Sequence, residues 1–139
     1  MSAAIGAAQM KRIDQILLKR CQVADWYFKY LQGVNGVNTP EISKTTTKMS
    51  WFVYVVRLDK SINRDEVISK LANKGIPSRP YFPSIHLIPF YRAKFGFNVG
   101  DFPIAEEISA QSLALPFHAS MTEEEVSYVC EIFDLILSN

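Results

Sequence analysis

One segment of the sequence concentrates the side chains best suited to hold a ligand. Residues 75–91 carry Arg79, Tyr81, Phe82 and His86 among four prolines. A guanidinium binds phosphate bidentately, an imidazole bonds a hydroxyl or carbonyl, and aromatic rings stack on other rings. Each proline fixes its own φ angle, removes a backbone donor and disfavours a helix at the residue before it. The segment is therefore predicted to be stiff and extended, and to present these side chains to a ligand with rings, hydroxyls or phosphates.

An ordinary structural role stays open for each of the four side chains. His86 is equally consistent with a histidine whose ring bonds a nearby carbonyl, and Arg79 with a solvated surface arginine. Successive residues of an extended chain face opposite ways. One of Tyr81 and Phe82 is therefore expected to face the core, which leaves at most one of them for a ligand.

Composition and charge exclude several classes of function. A chain of 139 residues that is 48% hydrophobic is predicted to be one globular domain. The net charge is +1, with 15 Lys and Arg against 14 Asp and Glu, so there is no basic footprint for nucleic acid or an anionic membrane. The sequence shows neither an apolar run of transmembrane length nor a signal peptide. We therefore expect a cytoplasmic protein without nucleic-acid or membrane partners.

The reactive side chains show no spacing typical of a catalytic or metal site. The two cysteines, Cys21 and Cys130, are expected to be small buried hydrophobes, and two histidines cannot build a metal cluster by spacing. The lysines lie on polar helix faces, loops or turns, where no apolar pocket would depress their pKa (Lys11, Lys19, Lys29, Lys44, Lys48, Lys60, Lys70, Lys74 and Lys94). We therefore predict no catalytic residue and no metal ligand in this chain.

Apolar periodicity predicts the elements of the first half. Residues 2–32 carry an apolar stripe at steps of three and four, which predicts one long helix that ends at Gly33. Residues 34–48 are polar and turn-rich, and indicate a loop. The uninterrupted run at 51–56 predicts a strand covered on both faces, with Trp51, Phe52 and Tyr54 in the core.

Capping and turn signals predict the elements of the second half. These signals are a capping-box spacing at Asn63–Glu66, a helix-starting Pro103, a short apolar stretch at 113–115 and a capping box at Thr122–Glu125. An edge strand near 78–82 and a helical turn near 90–95 complete the pattern. The order predicts an α/β fold of the two-layer α+β kind, in which a small mixed sheet of about three strands carries its helices mainly on one face.

Several stretches of the sequence resemble one enzyme family. Residues 2–14, SAAIGAAQMKRID, resemble the pattern M-S-x-x-x-A-A-I-G-x-x-Q-L-x-x-L/I-D, and residues 75–86, GIPSRPYFPSIH, resemble G-I-x-x-R-x-x-x-x-P-x-H. Residues 102–109, 113–117 and 121–126 match the family's closing portion in order and spacing. On these motifs, over essentially its whole length, the chain resembles the pyridoxal phosphate (PLP)-dependent sugar aminotransferases of the DegT/DnrJ/EryC1/StrS family.

The resemblance implies one domain of a larger enzyme. It implies the small-domain fold of the aspartate aminotransferase superfamily, with 1–139 as one C-terminal domain made of a bracing or interface helix at 1–33, a loop at 34–48 and an α/β unit at 49–139. The family's Schiff-base lysine, its aspartate for the pyridinium nitrogen and most of its phosphate-holding groups lie upstream of the matched segments. The resemblance thus implies PLP in the full-length parent, none bound to this chain, and no activity of this chain alone.

The resemblance also implies partners and a substrate. The partners are a missing N-terminal large domain and a second copy in a homodimer. The sequence RPYFP at residues 79–83 is most similar to the perosamine synthase branch, whose members aminate a nucleotide-linked 4-keto-6-deoxyhexose. The family match thus implies amino transfer from glutamate to a nucleotide-linked keto-deoxysugar in cell-surface polysaccharide biosynthesis. His86, Arg79, Tyr81 and Phe82 become the candidate substrate-binding residues.

Two other classes of function stay open. The first is a stand-alone, non-catalytic α/β module that binds a metabolite or a partner protein. The second and weaker one is an RNA-binding sheet, which needs aromatic and basic strand motifs and a positive charge that this chain lacks. Residues 3–8 are small or apolar on every side and favour a domain on which another surface packs.

Overall fold

The computed structural model of the protein describes residues 2–138. Its helices are α1 (Ser2–Met10), α2 (Ile13–Leu31), α3 (Arg64–Asn73), α4 (Pro89–Phe95), α5 (Pro103–Gln111) and α6 (Glu123–Leu137). Its strands are β1 (Val37–Asn38), β2 (Tyr54–Leu58), β3 (Arg79–Pro80) and β4 (Ser112–Leu115). A single 3₁₀ turn at Ile85–Leu87 lies between β3 and α4.

The sheet has four strands in the order β1-β2-β4-β3, and every neighbouring pair is antiparallel. The predicted α/β fold class is confirmed, but the sheet is antiparallel throughout, where we expected a mixed sheet of about three strands. The additional strand, Val37–Asn38, falls inside the predicted loop and pairs with Leu58 and Arg57. Two residues are too short to show the alternation by which a strand is recognised in a sequence.

One face of the sheet packs on α2, α3 and α6, and the other is more open, although Ser112 on that face is buried and its hydroxyl donates to the carbonyl of Ile108 in α5. In β2 the side chains of Tyr54, Val56 and Leu58 are buried in the core, which α2, α3 and α6 complete. Helices mainly on one face were predicted correctly. The prediction that this strand is covered on both faces is wrong, because Val55 is half-buried and Arg57 is exposed on the opposite face.

The apolar run at 51–56, which leads into β2, is not uniformly buried. Trp51 and Tyr54 are buried as predicted, but Phe52 is 66% exposed. The strand begins only at Tyr54, so Phe52 lies in an irregular stretch that does not follow strand alternation. Its exposed ring adds to the apolar surface of the molecule.

The predicted single helix over 2–32 is two helices. The chain turns at Lys11 and Arg12, where the amide of Arg12 donates to the carbonyl of Gln9 at 2.9 Å instead of continuing the α-helical pattern. Residues 3–10 are exposed, whereas α2 buries Val23, Ala24, Tyr27 and Leu31 against the sheet and α6. The apolar periodicity is continuous in the sequence, but among the described residues only its second half is buried in the core.

A pair of stacked tyrosines joins α2 to the sheet. The rings of Tyr27 and Tyr54 lie 4.7 Å apart, and the hydroxyl of Tyr27 donates to the carbonyl of Pro116 at 2.6 Å. Both rings are fully buried. The contact fixes α2 against β2 and against the chain that leaves β4.

Candidate functional site

The proline-rich segment is extended only as far as Tyr81. Arg79 and Pro80 form the edge strand β3, and the amide of Tyr81 donates to the carbonyl of Ser112 at 3.2 Å. Phe82 then adopts φ of 50°, in the left-handed region that non-glycine residues seldom occupy. The predicted edge strand and the predicted helical turn near residues 90–95 are confirmed. The extended stretch is shorter than predicted, because the left-handed φ of Phe82 interrupts it.

The left-handed residue overturns the prediction for the aromatic pair. We expected one of Tyr81 and Phe82 to face the core, on the assumption that extended backbone continues through both. Tyr81 is half-buried and Phe82 is 65% exposed, and their rings lie 4.5 Å apart. Because φ at Phe82 breaks the alternation, both rings are available to a ligand.

Both rings line a groove of ligand-binding size. The groove encloses about 590 Å³ between the chain after β3, the 3₁₀ turn and α5. Its lining is largely apolar and includes Tyr81, Phe82, His86, Tyr91, Phe97 and Phe102. A small-molecule site typically measures about 300–1,000 Å³ and combines apolar walls with few polar groups. The groove has this character, and its few polar groups include the imidazole of His86 and the hydroxyl groups of Tyr81 and Tyr91.

His86 is held in place by a carboxylate. Its Nε2 lies 2.9 Å from Oε1 of Glu106, and its ring packs 4.8 Å from that of Phe102. Glu106 also accepts hydrogen bonds from the amides of Gly100, at 2.9 Å, and Phe102, at 3.3 Å. One carboxylate thus connects the 3₁₀ turn, the loop before α5 and α5 itself, and fixes the imidazole in the wall of the groove.

The electrostatics of Glu106 favour its charged form. Partial burial raises the pKa of the Glu106 carboxyl, but hydrogen bonds from His86 and from the amides of Gly100 and Phe102 outweigh it. The pKa therefore lies below its usual value. An ionised Glu106 accepts a hydrogen bond from Nε2–H of His86, and the tautomer with its proton on Nε2 leaves Nδ1 as an acceptor.

Glu106 was missed in the sequence because its role depends on a distant partner. It lies 20 residues from His86, and the only local signal was an acidic residue in the first turn of a predicted helix. Such residues usually interact with the helix dipole. No spacing rule connects that position to a histidine in a 3₁₀ turn.

Arg79 lies apart from the groove. It is exposed on the open face of the sheet, where it is paired with Ala114 of β4. Tyr81 is two residues further along the same edge and lies on the same face, so it separates the arginine from the groove. Three of the four predicted residues, His86, Tyr81 and Phe82, therefore line one groove. The fourth, Arg79, lies beside it on the sheet.

The residues present do not fit a Schiff-base site for PLP. The nine lysines of the chain are all exposed, and four of them pair with acidic side chains: Lys29 with Glu123, Lys48 with Asp14, Lys60 with Glu107 and Lys70 with Glu66. A lysine that forms an imine needs a lowered pKa, which burial or a neighbouring cation would supply. None of these nine lysines is buried, so none has the apolar surroundings that imine formation requires.

Residues 2–138 contain neither a metal-binding cluster nor a membrane-spanning helix. No group of three or more His, Cys, Asp and Glu side chains there is placed to hold a metal ion. No helix in the same range is both long and apolar enough to cross a membrane.

Comparison with known proteins gives consistent matches to one family. The family model of the DegT/DnrJ/EryC1/StrS aminotransferases matches residues 1–134. A GDP-perosamine synthase of Caulobacter vibrioides is 36% identical over 140 residues, which are 99% of this chain and 37% of that protein.

Solved structures give the same result. A putative sugar aminotransferase of Streptococcus pneumoniae in its PMP form superimposes with a TM-score of 0.89 at 25% identity, over 98% of this chain and 34% of that one. DesV of S. venezuelae, in complex with a ketimine intermediate, superimposes with a TM-score of 0.87 at 26% identity, over 99% of this chain and 36% of that one. The chain spans about a third of the length of these relatives. It belongs to the DegT/DnrJ/EryC1/StrS aminotransferase family.

Proposed function

We propose that this chain is the C-terminal domain of a PLP-dependent aminotransferase that transfers an amino group from glutamate to a nucleotide-linked keto-deoxysugar for a cell-surface polysaccharide. The observation that carries the proposal is the aromatic groove, whose polar centre is the clamped imidazole of His86. The family match supports the reaction class. The names of the relatives, GDP-perosamine synthase among them, support the substrate class.

In this proposal the groove is one wall of the sugar-nucleotide site. Phe82 and Tyr81 stack on the base or the sugar, and His86 accepts a hydrogen bond from a sugar hydroxyl. Arg79 supplies positive charge from the neighbouring sheet face. The chain binds and orients the sugar nucleotide and excludes water from it, while PLP is held by groups outside these residues.

The partners proposed are a large domain that carries the cofactor lysine and a second copy of the enzyme. The exposed apolar side chains support this, because Phe90, Phe95 and Ile104 are all more than half exposed. The small residues of α1 are exposed as well and offer a close-packing surface. We place the assembled enzyme in the cytoplasm and expect this chain alone to be inactive.

A chimeric enzyme tests the proposal. The matching C-terminal segment of the Caulobacter vibrioides synthase is replaced by this chain, and glutamate-dependent amination of its keto-sugar nucleotide is measured. We expect activity from the chimera and none from this chain with added PLP. A folded, PLP-loaded chimera without activity would contradict the proposal, and turnover by the isolated chain would contradict the predicted inactivity. A folded, monodisperse isolated chain that binds a metabolite without supporting the chimera would favour the stand-alone module.

A further inference from the structure

Phe82 occupies a strained backbone position that its own residue type does nothing to relieve. Its φ of 50° lies in the left-handed region, where the Cβ of a bulky residue comes too close to the following carbonyl. Pro83 comes next, and a residue before proline is biased further toward extended backbone. Glycine would adopt this angle at little cost. Contacts from elsewhere in the fold must therefore hold Phe82 in this conformation.

The strained turn creates the aromatic wall of the groove. In a fully extended segment the side chains of Tyr81 and Phe82 would point to opposite faces. With the left-handed residue in place, their rings lie 4.5 Å apart and both line the groove. Backbone strain is concentrated at binding and catalytic sites. The conformation of Phe82 thus determines whether one ring or two rings face a ligand.

A single side chain bonds to the backbone of the strained residue. The hydroxyl of Ser109, in α5, donates to the carbonyl of Phe82 at 2.8 Å. Within residues 2–138 this is the only hydrogen bond of the Phe82 backbone. Before the turn, the amide of Tyr81 donates to the carbonyl of Ser112 at 3.2 Å. These two bonds hold the chain on both sides of the φ angle of Phe82.

A second contact fixes Ser109 itself. It lies in the last turn of α5, where a carbonyl has no partner within the helix. The carbonyl of Ser109 accepts instead from Nη1 of Arg64 at 2.6 Å. The Arg64 side chain is only 17% exposed, and its Nη2 pairs with Asp65 at 2.9 Å. This contact fixes the end of α5 against the start of α3 and keeps the Ser109 hydroxyl within reach of Phe82.

We infer that Ser109 is a positioning residue, whose hydroxyl holds Phe82 in the left-handed turn and thereby places both aromatic rings in the wall of the groove. The consequence for the sugar nucleotide rests on the proposed function, whereas the effect on the turn does not. Ser109 also lines the groove. A direct contact between its hydroxyl and the ligand would be a different role, and the two roles predict different results when the Phe82 ring is removed as well.

Urea unfolding of this chain tests the effect on the turn. Glycine normally destabilises a protein relative to alanine, but at a left-handed position this order reverses. We therefore expect a higher urea midpoint for Phe82→Gly than for Phe82→Ala. In a Ser109→Ala background the turn relaxes, and this difference should disappear or reverse. The same advantage of glycine in both backgrounds, or no advantage in either, would overturn the inference.

Michaelis constants of the chimeric enzyme test the effect on the groove. Ser109→Ala should raise KM for the sugar nucleotide about three- to tenfold, the loss expected from one hydrogen bond, and leave KM for glutamate unchanged. Ser109→Thr keeps the hydroxyl and should restore the wild-type value. Added to Phe82→Ala, Ser109→Ala should cause no further rise, because Ser109 acts through that ring. Equal rises with and without the ring would indicate a direct contact with the ligand and contradict the positioning role.

The matched control is Ser69→Ala in α3, which removes a hydroxyl that donates to the carbonyl of Asp65 at 2.9 Å. It should change neither Michaelis constant, and a rise as large as that of Ser109→Ala would count against the inference. If the glycine difference depends on Ser109 while the chimera is inactive, the proposed function fails and the positioning role stands. An active chimera with a glycine difference independent of Ser109 would give the opposite result.

Discussion

Replacing Tyr27 with phenylalanine removes one hydrogen bond from the centre of the fold and leaves its packing intact. The Tyr27 hydroxyl donates to the carbonyl of Pro116 at 2.6 Å, and burial raises the pKa of this hydroxyl far above its usual value, so it stays protonated. Such a bond contributes about 0.5–1.5 kcal/mol, and a half-buried carbonyl left unpaired adds to the loss. We expect Tyr27→Phe to lower the free energy of unfolding by about 1–2 kcal/mol.

The stacked partner offers a matched control. Tyr54 is as buried as Tyr27 and its ring lies 4.7 Å away, but among the described residues its hydroxyl has no hydrogen-bond partner. Removing a buried, unpaired hydroxyl removes a desolvation cost along with it. Tyr54→Phe should therefore leave the free energy of unfolding unchanged or raise it by up to about 1 kcal/mol.

Urea unfolding followed by circular dichroism distinguishes the two variants. Both should keep the wild-type dependence on urea, so that a change in midpoint reports stability alone. Equal decreases in the free energy of unfolding of Tyr27→Phe and Tyr54→Phe would refute the reasoning. The hydrogen bond to Pro116 would then not be what distinguishes the two tyrosines.

Three further predictions follow from the capping, titration and burial of single side chains. Thr122→Ala removes the reciprocal cap with Glu125 at the start of α6 and should cost about 1 kcal/mol in urea unfolding. The pKa of Glu106 is lower in the folded state than the unfolded value of about 4.3, so its stabilisation is complete above about pH 5 and is lost as the pH falls through the folded pKa. Glu106→Gln should flatten the pH dependence of the unfolding free energy in that acidic range. Cys130 is buried and burial raises the pKa of its thiol to about 12, so a Cys21→Ala variant should react with a thiol reagent at pH 8 far more slowly when folded than when unfolded in urea.

Local signals in the sequence predicted the second half of the fold well. The cap at Asn63 is formed by its own side chain, which accepts from the amides of Asp65 and Glu66. The box at Thr122 and Glu125 is reciprocal, as its spacing predicts. These interactions span three residues, so their geometry depends little on the rest of the molecule.

The sequence predictions that the structure contradicts, or that were missed, depend on tertiary contacts that no local pattern encodes. The break at Lys11–Arg12 interrupts a stripe that is continuous in sequence, and residues 3–10 before the break are exposed, whereas α2 is buried against the core. The exposure of Phe82 depends on one left-handed φ angle, which no neighbouring glycine or asparagine signalled. The pairing of His86 with Glu106 joins residues whose contact only the completed fold brings about.

The most direct test of the account compares two Michaelis constants in the chimeric enzyme. Stacking of an aromatic side chain on a base contributes about 1–3 kcal/mol, so Phe82→Ala should raise KM for the sugar nucleotide at least fivefold. The KM for glutamate should stay unchanged, because the groove is proposed to hold only the sugar nucleotide. An unchanged KM for the sugar nucleotide, or an equal rise in both constants, would contradict the claim that this groove is a wall of the substrate site.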